Sequence, residues 1–155
     1  MATRLSTSSI GESSMAFEIL IQRPVEVVAV FAGDPSRAPD WHVNITSVEW
    51  QTPAPLAVGS RTSFVAHFLG RGLANTYEVR ELIPGPRLVM STAEGPFPME
   101  TTYTWSEDEG STRMTLRNRG ELAGFSALAA AFMAMTMPRA NAADLAKLKA
   151  LLEAG

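Results

Sequence analysis

Between Val43 and Leu122 short runs of alternating apolar and polar residues are cut apart by Gly- and Pro-rich turns, and no other feature restricts the fold as much. In one run Met99, Thr101, Tyr103 and Trp105 share a side; in another Met114 and Leu116 oppose Arg113, Thr115 and Arg117. A period of two sends successive side chains to opposite faces of a strand. One apolar side and one polar side mean an antiparallel sheet with one covered and one wet face. The pattern predicts strands over Val43–Gln51, Ser60–Leu69, Leu73–Leu82, Leu88–Ala93, Met99–Trp105 and Thr112–Arg119. Gly70-Arg71-Gly72, Pro84-Gly85-Pro86, Gly95-Pro96-Phe97-Pro98 and Glu107 to Gly110 supply the turns.

A sheet with one apolar face needs a cover, and the C-terminal segment is built to be one. Leu122 to Met137 carries no Asp, Glu, Lys or Arg and is apolar almost all round, as a helix buried on more than one side would be. Pro138 is expected to kink or restart the helix, with Asn141 as the new N-cap and Asp144 near its positive end. Leu145, Leu148, Leu151 and Leu152 then form a stripe from which Lys147 and Lys149 point away. Ahead of the sheet, Met15–Gln22 reads as a strand with Phe17, Ile19 and Ile21 on one face. Pro24 opens a helix through Val25–Phe31, with Val27, Val30 and Phe31 at helical spacing. Gly33-Asp34-Pro35 stops it, and a second short turn covers Ser36–Trp41.

Residues 1–14 are Ser/Thr-rich, lack the apolar stretch of a secretory signal and read as a mobile tail before a single domain over residues 15–155. A cytoplasmic location follows, with Asn44-Ile45-Thr46 a coincidental sequon. Leu122–Met137 is too short for a membrane span. The chain's 155 residues are enough for one domain that hides roughly 70% of its unfolded surface. Thirteen Lys+Arg against 16 Asp+Glu leave a formal charge of -3, a poor basis for gripping a phosphate backbone, so no nucleic-acid partner is expected. The absence of cysteine excludes thiol catalysis, disulfides and thiolate metal sites. With two histidines a metal centre would have to lean on carboxylates, and neither a metal nor a cofactor is expected.

The order of elements and several local signatures resemble the START/Bet v 1-like (SRPBCC) superfamily, specifically its bacterial polyketide cyclase/dehydrase and lipid-transport group. The signatures are Arg23-Pro24-Val25-Glu26-Val27-Val28-Ala29-Val30-Phe31, Asp34-Pro35, Trp41, Val48-Glu49 and Val58-Gly59-Ser60-Arg61. They continue with Glu81-Leu82-Ile83-Pro84-Gly85-Pro86-Arg87-Leu88 and close with Asp144-Leu145-Ala146-Lys147-Leu148-Lys149. The resemblance implies an α+β helix-grip fold, a curved antiparallel sheet wrapped around a long C-terminal helix, with two short helices after the first strand and an internal cavity. It implies binding of a small hydrophobic or aromatic molecule. Group members also include cyclases, whose resemblance implies polyketide cyclase, aromatase or dehydratase chemistry, and Hsp90 activators, which implies an interaction module. These signatures are turns, core contacts and helix starts, so they specify fold before function.

Parity and helical position pick out the side chains that would line the cavity the resemblance implies, or would fill an ordinary packed core. The sheet offers Phe64, Phe68, Met90, Met99, Tyr103 and Trp105, with Trp41 at the opening. The helix offers Phe125, Leu128, Phe132, Met133, Met135 and Met137, a Met-rich stretch suited to irregular ligands. Tyr77 and Tyr103 each join an apolar ring to one hydrogen-bonding tip, and Asn75 shares a face with Tyr77, with Thr101 a neighbour across the sheet. These groups either orient a carbonyl or hydroxyl or simply pack across strands. His42 reads as a general base or ligand partner at the cavity mouth, or as an ordinary loop histidine. The catalytic candidates are thus His42, Tyr77 and Tyr103. His67 has parity opposite to Phe64 and is expected to face away. Arg113, Arg117 and Arg119 are assigned to the wet face, and Phe97 to a lip or a subunit contact. The Met-rich helix face would suit a homodimer.

Overall fold

The computed structural model describes the backbone at residues 2–9, 12–68, 71–83, 85–94, 99–121 and 127–154. Side chains are described at 15–67, 72–83, 85–94, 99–120 and 139–154. The elements, in chain order, are β1 (Ala2–Ser9), β2 (Glu12–Ile21), α1 (Val25–Ala32), a single 3-10 turn (Pro35–Arg37) and α2 (Ala38–Trp41). There follow β3 (Ile45–Trp50), β4 (Arg61–Phe68), β5 (Arg71–Ile83), β6 (Arg87–Glu94), β7 (Met99–Asp108), β8 (Ser111–Glu121) and α3 (Ala127–Ala154). The strands form one antiparallel sheet in the order β1-β2-β8-β7-β6-β5-β4-β3. With the long helix against it, this is the α+β helix-grip architecture expected from the sequence.

Alternation sets the register. Across β2 and β8, Phe17 pairs with Leu116 and Ile19 with Met114; across β7 and β8, Tyr103 pairs with Leu116 and Trp105 with Met114. All of these are buried, and Ile21 and Met114 are fully so. The hairpin between β7 and β8 turns on Glu109 (φ 51) and Gly110 (φ +86), both left-handed, the conformation that matches the twist of the flanking strands. At Gly33, which ends α1, a Cβ would sit 2.8 Å from the Ala29 carbonyl oxygen, so only glycine fits that close approach. The Asp34 carboxylate then accepts the Ser36 N–H at 2.9 Å and starts the 3-10 turn.

The core joins Phe17, Ile19 and Ile21 of β2, Met114 and Leu116 of β8 and Val28 of α1 to Leu145, Leu148 and Leu152 of α3. Full burial of each such side chain contributes roughly 1.5–3 kcal/mol. Polar contacts pin the end of α3 to the end of β2. Arg23 Nη1 donates to the Leu152 carbonyl at 2.6 Å, Lys149 Nζ to the Leu20 carbonyl at 2.7 Å, and the Gln22 N–H to Glu153 at 2.8 Å.

Three details differ from the sequence reading. Ala2–Ser9, placed there in a tail, is extended backbone paired with β2. The expected restart at Pro138 is also absent: α3 runs unbroken from Ala127 to Ala154, and Asn141 is an interior residue, not an N-cap. A proline removes one backbone hydrogen bond from a helix, and a long helix packed on a sheet retains the rest. Finally, α1 buries Val28 and Ala32, whereas Val30 is 74% exposed. Among the described residues no helix is long and apolar enough to cross a membrane.

Candidate functional site

A cavity of about 150 Å³ lies between the inner face of the sheet and the layer made by α2 and α3. Phe64, Leu73, Leu88, Met90, Met99 and Leu116 give it apolar walls from β4 to β8. The helical side adds Ala32, Pro35, Ala38 and Ala140. Two groups of polar side chains interrupt this lining.

The first group belongs to the sheet. Thr101 stands opposite Asn118 in the β7–β8 register, and its Oγ1 donates to Asn118 Oδ1 at 2.7 Å. Asn75 Nδ2 donates to Thr92 Oγ1 at 3.3 Å. Tyr77 lies beside them; burial pushes its phenol above the ordinary value, and hydrogen bonds with Asn75, Thr92 and Thr101 oppose that push.

The second group joins three elements. Asp144 of α3 accepts the Val43 N–H on Oδ1 at 2.8 Å, and its Oδ2 lies 3.0 Å from Nδ1 of His42, the residue that follows α2. Nε2 of His42 is 3.3 Å from the Tyr103 hydroxyl of β7. Burial, then the Asp144 charge, then Tyr77 hold the Tyr103 phenol well above its ordinary ionisation range, so it stays neutral. The Trp41 ring is 3.8 Å from the His42 ring, centroid to centroid, and 6.0 Å from Tyr103.

Of the residues named from sequence, Phe64, Asn75, Tyr77, Met90, Met99 and Tyr103 line the cavity, and so does His42. Trp41 does not stand at an opening: it has no exposed surface and belongs to the core, because the short α2 turns its ring inward. Trp105 is likewise a core residue, and it borders a second cleft instead. The side chains of Phe68, Leu128, Phe132, Met133, Met135 and Met137 fall outside the described residues, as do Phe125 and Phe97. His67 is exposed, with Nδ1 3.3 Å from Thr46 Oγ1, and does not line the cavity. Arg113 lies on the wet face, paired with Glu18 and Asp108, and Arg117 and Arg119 are exposed beside it.

Sequence reasoning missed Asp144 and Asn141 as lining residues, having read both as helix-start groups. The signal was their spacing: both continue the stripe that leads to Leu145 and Leu148. Asn118 was also missed, although it shares parity with Met114 and Leu116. Among the described residues, Asn141 Nδ2 and the indole nitrogens of Trp41 and Trp105 are buried without a hydrogen-bond partner. No group of three or more described His, Asp or Glu residues is arranged to hold a metal ion.

The second cleft, about 1160 Å³ and more open, lies outside α1. Val30, Trp50, Pro53, Pro55 and Ile83 border it, and Gly33-Asp34-Pro35 and Leu88 separate it from the inner cavity.

A sheet gripping one long helix, with a lined cavity between them, defines a helix-grip domain. Residues 13–153 match the family model described as "Polyketide cyclase / dehydrase and lipid transport", and the chain belongs to that family. No curated protein matches the sequence. Among solved structures, the chain is similar to the Zhui aromatase/cyclase of Streptomyces sp. R1128, at 15% identity and TM-score 0.76, over 92% of this chain and 94% of that one. It is similar to a START superfamily protein of Mycobacterium smegmatis, at 14% identity and TM-score 0.71, over 90% and 97%. It is also similar to ginseng major latex-like protein 151 of Panax ginseng, at 12% identity and TM-score 0.71, over 92% and 98%. At these identities the likeness concerns the fold.

Proposed function

We propose that the chain holds a small, largely apolar molecule between the sheet and α3 and orients it through one polar end. The observation that carries this reading is the make-up of a single wall, in which Met90, Met99 and Phe64 adjoin the buried polar residues Asn75, Thr101 and Asn118. An apolar pocket with a few convergent polar groups is the usual form of a small-molecule site. A space of about 150 Å³ suits a substituted single ring. The family description, which names lipid transport beside cyclisation, supports the same reading.

Native mass spectrometry of freshly purified protein, followed by solvent extraction, tests it. A discrete added mass that leaves on denaturation is the expected result. A bare mass, with no uptake of added small aromatic compounds, contradicts it.

The His42–Asp144 couple favours a second reading, a cyclase or dehydratase in which a wall residue moves a proton. The Streptomyces structure named an aromatase/cyclase supports it by fold. Turnover of a poly-β-ketone test substrate that disappears in a folded Tyr103→Phe variant would select this reading over simple carriage. Retained binding without turnover in the wild type would select carriage.

A further inference from the structure

Asp144, His42 and Tyr103 come from three separate parts of the fold, and hydrogen bonds join them in one chain that ends at the cavity. Asp144 is 5% exposed, and both of its oxygens are engaged, one by the Val43 N–H and the other by His42 Nδ1. A carboxylate only accepts, so Nδ1 carries a proton and donates it. In the neutral imidazole Nε2 is then the acceptor, and it faces the Tyr103 hydroxyl at 3.3 Å. A Tyr103 hydroxyl that donates to the neutral form of His42 keeps its oxygen lone pairs for the cavity that it lines.

Asn141 supplies an independent pointer to a ligand. It sits three residues before Asp144 on the same face of α3, lines the same cavity and is 6% exposed. Its Nδ2 has no partner among the described residues. A buried amide donor in this position calls for an acceptor oxygen.

We propose that Asp144, His42 and Tyr103 form a proton relay, with Tyr103 the residue that touches the bound molecule. The matching occupant carries a weakly acidic hydroxyl on an unsaturated carbon, a phenol or an enol, and offers an oxygen to Asn141. This deepens the proposed function and rests on it, since the molecule must first enter the cavity.

The proton balance is complete. The ligand O–H bond breaks and its proton joins the Tyr103 oxygen while the Tyr103 proton moves to His42 Nε2. His42 becomes an imidazolium held by Asp144, and the ligand oxygen keeps the electron pair. Nothing is oxidised or reduced, and the reverse sequence restores every group. Because burial and the Asp144 charge keep the phenol of Tyr103 from ionising alone, it passes a proton only as it receives one. His42 and Asp144 are positioning residues in this scheme.

Two probes of similar shape separate the relay from the cavity. 4-Nitroanisole has no proton to give and reports entry; 4-nitrophenol reports its own ionisation by absorbance. Both are expected to bind and to displace each other, and bound 4-nitrophenol should be several-fold more ionised than the free dye at the same pH. Tyr103→Phe should abolish that excess while 4-nitroanisole still enters the cavity, and His42→Gln should abolish it while Tyr103 remains. A merely structural role would weaken both probes alike and leave the spectrum of the bound dye unchanged. Wild-type ionisation in folded Tyr103→Phe overturns the relay, as does entry of 4-nitroanisole without 4-nitrophenol. Exclusion of both probes overturns the cavity reading itself.

Discussion

One face of α3 meets two very different surroundings. At Leu145, Leu148 and Leu152 it closes against Phe17, Ile19, Ile21 and Met114, with the first two leucines fully buried. At Asn141 and Asp144, on the same stripe, it faces the cavity. The inner face of β7 and β8 makes the same change step by step, from Trp105 opposite Met114, through Tyr103 opposite Leu116, to Thr101 opposite Asn118. The leucine end is what hydrophobic burial alone would build. Buried polar groups at the other end stabilise little even when paired, because they exchange one set of hydrogen bonds for another. Departures from the local packing rule gather where function is expected, and here they gather around a hole.

That contrast breaks most visibly under truncation. Leu148→Ala should cost about 2–5 kcal/mol of stability, read by denaturant unfolding, and leave the affinity for a cavity probe nearly intact. A small cost there, or a large loss of probe affinity, would mean that the two ends are not separate. Asp144→Ala should cost less, about 1–3 kcal/mol, because it strands the Val43 N–H and frees His42. Unlike the leucine change it should disturb binding as much as stability, and a calorimetric titration beside the unfolding curve checks both.

The smallest effect concerns alkaline pH. Burial first of all raises Tyr77 and Tyr103 above the ordinary value of 10.0. Above that pH the unfolded chain releases protons that the folded state retains, so the folded state binds more protons and stability falls as pH rises. Below it the contribution is fully present. Tyr103→Phe and Tyr77→Phe should each flatten the alkaline limb of a stability–pH curve, whereas changes at the leucine end should shift the whole curve down without altering its slope.

Much of the sheet was legible because parity is a local property. The run Ser60–Leu69 became β4 at Arg61–Phe68, and Met114 and Leu116 turned inward as their alternation required. β1 was not legible, since a Ser/Thr-rich strand lacks the apolar alternation that announces one. The continuity of α3 was hidden by Pro138, where long-range packing prevails over a local rule. Parity also puts Tyr103, Tyr77 and Asn75 on the inner face, where they line the cavity. The contact that gives His42 its meaning joins it to a residue 102 positions away, and no local pattern encodes such a pairing. Trp41 was misplaced for the same reason: its neighbour is polar, and only the tertiary fold turns its ring into the core.

The most direct test of the cavity is a two-dimensional NMR titration of isotope-labelled protein with 4-nitroanisole. Saturable shifts are expected at Asn75, Thr101, Tyr103, Asn118 and Asn141, with Ile21, Met114 and Leu148 almost unmoved. Shifts confined to Val30, Trp50 and Ile83 around the outer cleft, or no saturable shifts at all, would contradict it.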